Sequence, residues 1–203
     1  MEESQEVIDT SGLSYDPGSV PKTTKKTLRE GWMKVTVVNP ATGVTTNTGS
    51  GKAGGMLQQV VEFQPVDADN VPINYKLKNW LFPPITNPQT KVALAEFCWS
   101  TSHKYLYAVM SDKIGSYPSR ERVTDADERA LIRKAVNTKV GEEMARRAKD
   151  PTLYVGDTFF AKIVRNDNGY PTATVFAPAL PEGETLISSD FLEEISGTDE
   201  ATN

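Results

Sequence analysis

Apolar and polar residues alternate with a period of two in several short stretches of this chain, and two longer stretches follow a helical period. Over 72–80, Ile73, Tyr75 and Leu77 fall on one side of an extended backbone and Asn74, Lys76 and Lys78 on the other. That pattern predicts a strand with one core face and one polar face. Trp80 shares the parity of the lysines. The β-branched and apolar run over 31–38 and the Met-Leu-Gln-Gln-Val-Val-Glu-Phe run over 56–63 predict two earlier strands. Residues 158–165 and 172–176 predict two later ones, separated by the turn signal Asn166-Asp167-Asn168-Gly169. In the 158–165 strand, Phe160, Lys162 and Val164 share one face, and Phe159, Ala161, Ile163 and Arg165 the other. Phe160 is therefore expected on the outer face with Lys162.

Helical patterns fall between the third and fourth strands. Pro83-Pro84 breaks the chain, and Asn87 followed by Pro88 has the form of a cap and first helical residue. Val92, Leu94, Ala95, Cys98 and Trp99 then fit a helix. The longest helix is predicted over 124–149. Asp127 and Glu128 open it and Arg146, Arg147 and Lys149 close it, as the helix dipole favours. Leu131, Ala135, Val136, Val140 and Met144 form its apolar stripe, and Asp150-Pro151 stops it. Three strands, a helical insert and two strands predict a mainly β protein of the α+β class. Its architecture is expected to be a five-stranded Greek-key barrel carrying a long helix.

Charge divides the 203 residues into three parts. Residues 1–16 hold five acids and no base, and 181–203 hold seven acids and no base. The stretch between holds all 22 bases and 15 acids, a surplus of seven positive charges inside a chain whose net charge is −5. The expected organisation is an arm over 1–28, one domain over 29–180 and an acidic tail over 181–203, with disordered acidic ends. Lys22, Lys25, Lys26 and Arg29 form a basic cluster where the arm meets the domain. A basic body attracts polyanions, and acidic arms compete for the same surface.

The chemistry of most enzymes finds no support. Cys98 and His103 are the sole residues of their kinds, which excludes an intramolecular disulfide, an all-cysteine zinc site and His-rich metal sites. A reducing cytoplasm is the expected setting. There is no run of 18 apolar residues, so no transmembrane helix is expected. The acidic start Met1–Glu6 lacks the apolar core of a signal peptide. Gly49-Ser50-Gly51-Lys52 evokes a phosphate-binding loop, but Thr46 stands at its first position and Ala53 where a hydroxyl must hold magnesium. Asp67, Asp69, Asp125, Asp127 and Glu128 lie at a turn and a helix start, where capping explains them. No cofactor and no metal is expected.

What remains is a set of aromatic and basic residues. Trp32, Lys34, Tyr75, Lys76, Lys78, Trp80, Phe160, Lys162, Arg165 and Tyr170 lie on or beside the predicted strands, and Lys52 lies in a loop containing five glycines over 41–55. Bases stack on aromatic faces while lysine and arginine follow phosphates, each stacked base contributing about 1–3 kcal/mol. These residues are the expected nucleic-acid contacts, with the loops 40–55 and 166–171 beside them.

Several stretches resemble phage-encoded single-stranded DNA-binding proteins of the OB-fold type. They are Arg29-Glu30-Gly31-Trp32-Met33-Lys34-Val35, the glycine-lysine loop running into Gly55-Met56-Leu57, Leu153 to Ile163 with its Val-Gly-Asp-Thr-Phe-Phe-Ala-Lys core, and Gly169-Tyr170-Pro171. The resemblance covers about 29–180 and implies an OB-like barrel. It implies sequence-tolerant binding of single-stranded DNA in replication or recombination. It also implies an acidic C-terminal tail that meets replication proteins. The chain departs from the pattern by ending Glu200-Ala201-Thr202-Asn203 without an aromatic residue. Phe191, Leu192, Glu193 and Glu194 form the nearest hydrophobic–acidic element and are the expected partner contact. Self-association is a further expectation. Two other readings stand beside this one: a structural or assembly module working through protein contacts, and a metal-dependent nuclease whose dispersed carboxylates converge in space.

Overall fold

The computed structural model describes residues 25–93 and 96–195. The strands are β1 (Lys25–Leu28), β2 (Gly31–Thr36), β3 (Thr45–Thr46), β4 (Leu57–Pro65), β5 (Leu77–Leu81), β6 (Thr158–Arg165), β7 (Pro171–Ala177) and β8 (Leu192–Ile195). Two helices, α1 (Glu96–Ile114) and α2 (Ala126–Lys149), lie between β5 and β6, and a 3-10 turn (Pro151–Tyr154) follows α2. The class is α+β, with a multi-strand antiparallel sheet and two helices.

The central strand β2 pairs with β4 on one side and β6 on the other. β5 extends the sheet from β4, and β7 extends it from β6. β5 and β7 approach each other without forming a ladder, so the sheet does not close into a barrel. The alternation read from the sequence explains which face is buried. Val61 and Phe63 of β4, Leu77 and Leu81 of β5, and Phe159, Ala161 and Ile163 of β6 point inward and are buried. α1 covers them with Tyr105 and Leu106, and α2 with Val136, Val140 and Met144. Phe63, Tyr105, Phe159 and Phe176 meet edge-on, with ring centroids 5.3–6.5 Å apart, the arrangement that aromatic quadrupoles favour.

A buried ionic cluster ties α2 to the start of β6. Arg147 donates to Asp157 and, over 2.7 Å, to Glu143. Tyr105 donates its hydroxyl to Asp157 over 2.7 Å, and the Arg147 guanidinium lies 4.8 Å from the Tyr154 ring centre. Burial favours the neutral form of Arg147, but the Asp157 and Glu143 carboxylates outweigh it and raise the guanidinium above its ordinary range.

The helices differ from the sequence reading in extent. Asn87 does cap, but only a single turn: its carboxamide oxygen accepts from Gln89 N and Thr90 N, and its side chain also donates to Gly55 O. Lys91 then takes a φ of 60°, and α1 begins at Glu96. α1 continues through the ambiguous stretch around Tyr105 to Ile114, with non-helical backbone at Met110. Asp125 caps α2, accepting from Glu128 N at 2.7 Å, and the helix runs from Ala126. The apolar stripe of α2 is buried only in its C-terminal part, and Leu131 is 69% exposed.

The chain ends also differ from expectation. β1 and β8 pair antiparallel, with Leu28 opposite Leu192 and Thr27 opposite Glu193. Leu28 and Phe191 are buried against the main core. The domain boundaries expected at 28 and 181 thus fall inside the folded body, which takes in residues 25–28 and 181–195. Isolated apolar residues at each end carry no local period, so the pairing that joins them is invisible in either segment alone. The rest of the expected arm and tail, residues 1–24 and 196–203, lies outside the described residues. No helix among the described residues is long and apolar enough to cross a membrane.

Candidate nucleic-acid interface

Strand parity assigns six of the expected contacts to the outward side of the sheet. On β2, Lys34 alternates with the buried Met33 and Val35. It stands directly opposite Phe160 of β6, and Trp32 stands opposite Lys162. On β5, Lys78 and Trp80 flank Asn79 and stand opposite Glu62 and Val60 of β4. A ladder partner on the same face lies within reach of a long side chain. The sheet therefore gathers Trp32, Lys34, Lys78, Trp80, Phe160 and Lys162 on one surface, and Lys76 joins them through Glu62.

Glu62, on β4, is an acid of this surface. Lys76 Nζ lies 3.3 Å from it and Lys78 Nζ 3.4 Å. Burial pushes its carboxyl up, but the two ammonium groups outweigh that and hold it below its ordinary value. Both lysines remain exposed, so the pairing fixes their direction without hiding them. Trp80 is 47% exposed, and Phe160 is half-buried. Lys34 donates to the Asn70 carboxamide over 2.5 Å. Val175, opposite Lys162 on β7, adds an exposed apolar side chain that strand parity alone does not mark as part of this surface.

Trp32 differs from its expected role. It is only 4% exposed, because the chain around Leu186 and Ile187 runs over it. Leu186 bridges to Trp32, and Ile187 N donates to Trp32 O over 2.8 Å. The Ile187 side chain fills the space above Gly31, where an added Cβ would meet it at 2.7 Å. The Trp32 indole nitrogen is buried with no hydrogen-bond partner. Just beyond, Lys162 Nζ lies 6.0 Å from the Trp32 ring centre and 3.4 Å from the Glu184 carboxylate.

Tyr75, Arg165 and Tyr170 line a separate cleft of about 600 Å³ next to β1 and β8, together with Lys26, Asn168 and Glu194. Tyr75 is half-buried and packs against the core; Tyr170, at the tip of the β6–β7 turn, is 69% exposed. Gly169, with a φ of 76°, makes that turn possible. Arg165 is more tied down than expected. It donates to the Glu193 carboxylate, to Gly169 O at 3.1 Å and to Thr27 Oγ1 at 3.4 Å. Lys52 is exposed in the loop between β3 and β4. That loop is held by Gly55 N donating to Asn47 O and by Asn87 and Thr90 donating to Gly55 O.

The expected partner contact is also engaged within the fold. Phe191 is buried, Leu192 half-buried, Glu193 accepts from Arg165, and Glu194 is exposed in β8. Among the described residues, no group of three or more His, Cys, Asp or Glu side chains gathers as a metal site. His103 is buried against Tyr117, ring centres 4.0 Å apart, and desolvation lowers its pKa.

A scan of protein-family models finds no match to this chain, and comparisons with curated proteins and with solved structures find none either.

Proposed function

We propose that this chain binds single-stranded DNA without sequence preference, on the outward face of β2, β4, β5 and β6. The observation that carries the reading is the register that puts Lys34, Lys78, Trp80, Phe160 and Lys162 on one face, with Lys76 beside them. Interleaved aromatics and cations suit stacked bases and a phosphate backbone. The Tyr75–Tyr170 cleft and Lys52 extend the surface at its two ends.

The strand order supports an OB-like reading of the sheet. β2 lies between β4 and β6, β5 lies outside β4, β7 lies outside β6, and the helices come between β5 and β6. Partly open five-stranded barrels of this kind bind oligonucleotides on their second and third strands and adjoining loops. Here those strands are β4 and β5, and the loops carry Lys52 and Tyr170.

Residues 182–194 act as a competitor. They bring Glu184 to Lys162 and Glu193 to Arg165, and they cover Trp32. A polyanion displaces these carboxylates by offering phosphates to the same cations. The protein then protects single strands during replication or recombination and performs no covalent chemistry. Recruitment of replication proteins through Phe191 and Leu192 requires β8 to leave β1.

The test is a titration of a labelled oligothymidylate of about 12 nucleotides, within one OB site of roughly 4–16, at two salt concentrations. The reading expects binding that weakens steeply with salt, since counterion release drives phosphate contacts. No binding, or binding indifferent to salt, overturns it.

A further inference from the structure

A second aromatic and basic surface lies away from the sheet face, between the two helices. The stretch of α2 from Ala130 to Glu142 and Trp99 near the start of α1 line a groove of about 780 Å³. Trp99 of α1 and Pro84 form one wall, and Arg133, Lys134 and Asn137 of α2 the other. An adjoining hollow of about 360 Å³ shares Trp99, Arg133 and Asn137 and continues the groove to Tyr117.

The aromatic side chains here are held in place. Trp99 Nε1 donates to Asn137 Oδ1 and lies 3.1 Å from both that atom and the Tyr117 hydroxyl. Tyr117 donates its own hydroxyl to Asn137 over 2.6 Å and stacks on His103 at 4.0 Å. The indole edge is thus satisfied inside the protein, and what Trp99 offers the groove is ring surface. Gly141 closes the far end: an added Cβ there would touch the Trp99 ring at 3.7 Å and Pro84 at 3.9 Å. Arg133 and Lys134 are exposed, and neither forms an ion pair among the described residues. One acid, Glu142, lines the groove against these two cations.

A deep apolar pocket would suit a peptide side chain. This groove is shallow, walled by ring surface and edged by unpaired cations, the combination that holds an unpaired base and its phosphates. We infer that the α1–α2 groove is a second contact for single-stranded DNA, with a base stacked on Trp99 and phosphates on Arg133 and Lys134. The inference rests on the sheet-face reading and lengthens the path of the strand beyond it. Strands long enough to leave the sheet face reach the groove, and short ones do not.

The experiment compares the full chain with its R133E/K134E variant on labelled oligothymidylates of about 8 and about 30 nucleotides, within and well beyond the span of one OB site. Both positions are exposed, so the variant keeps its fold, which thermal unfolding verifies. The expected result is unchanged affinity for the short strand and about tenfold weaker affinity for the long one. The salt slope on the long strand should fall by about 1.4, as when two phosphates of a single strand are no longer neutralised. A W99A variant should reproduce the selective loss on the long strand with little change in slope. Equal loss on both lengths overturns the inference, because the charges then act through the general field. So does unchanged affinity on the long strand, or a change of oligomeric mass in R133E/K134E, which assigns the groove to a second copy. If the unaltered chain binds neither length, the sheet-face reading falls and this inference with it; if it binds both and the variant matches it, only the groove falls.

Discussion

The ammonium of Lys162 lies 3.4 Å from the carboxylate of Glu184, which places an acid from the C-terminal segment on the same sheet face as Lys34, Trp80 and Phe160. Both partners are about 40% exposed, so the pair contributes little to stability, of order 0–1 kcal/mol. Its consequence is for binding. Replacing Glu184 and Glu193 by glutamine should tighten oligothymidylate binding a few-fold at low salt. The gain should shrink as salt screens the carboxylates. Anisotropy titrations at two salt concentrations measure it, and unchanged affinity would remove these acids from the competing role.

Lys76 and Lys78 share the carboxylate of Glu62 yet remain open to solvent. The K76Q/K78Q variant should weaken binding and lower the salt slope by about 0.7 for each phosphate of a single strand that is no longer neutralised. Its unfolding free energy should change by less than about 1 kcal/mol, as for other exposed ion pairs. A slope identical to that of the unaltered chain would take both lysines out of the interface.

Arg147 is a structural residue. It is buried and pairs with Asp157 and with Glu143, which Arg146 also holds. Arg147→Met leaves Asp157 without its cation, while Glu143 keeps Arg146 at 2.6 Å, and should destabilise the fold by about 3–5 kcal/mol, the range for breaking a buried pair. Urea unfolding measures the loss. A change below about 1 kcal/mol, the range of solvent-exposed pairs, would mean that water reaches the cluster.

His103 predicts a pH dependence. Burial against Tyr117 holds its pKa below the ordinary value of 6.5. The unfolded chain therefore binds a proton more readily than the folded one, and stability rises with pH across that interval. Thermal stability should fall as pH drops below about 6.5, the ordinary histidine value, and His103→Gln should flatten that fall. An unchanged profile in the variant would assign the acid sensitivity to other groups.

The candidate interface is partly legible in the sequence because period-two alternation carries it. The parities of Lys78 and Trp80, and of Phe160 and Lys162, follow from counting along single strands, and cross-strand register then joins them. The burial of Trp32 is not legible, since its cover, Leu186 and Ile187, comes from the far end of the chain. The β1–β8 pairing is hidden for the same reason: two four-residue strands have no period long enough to read. α1 starts later than expected because Asn87-Pro88 signals a cap without telling how many turns follow. Leu131 fits the apolar period of α2, yet it is exposed, because the stripe continues beyond the body it packs on.

The location of the interface can be tested directly with a photoreactive strand. A 5-bromodeoxyuridine oligonucleotide of about 12 nucleotides, within one OB site, is cross-linked to the chain, and the attached peptides are identified by mass spectrometry. The account predicts attachment at Trp80 or Phe160 on the sheet face, or at Tyr75 or Tyr170 in the adjoining cleft, and its loss at high salt. Efficient cross-linking that avoids Tyr75, β5, β6 and the 166–171 turn would contradict it.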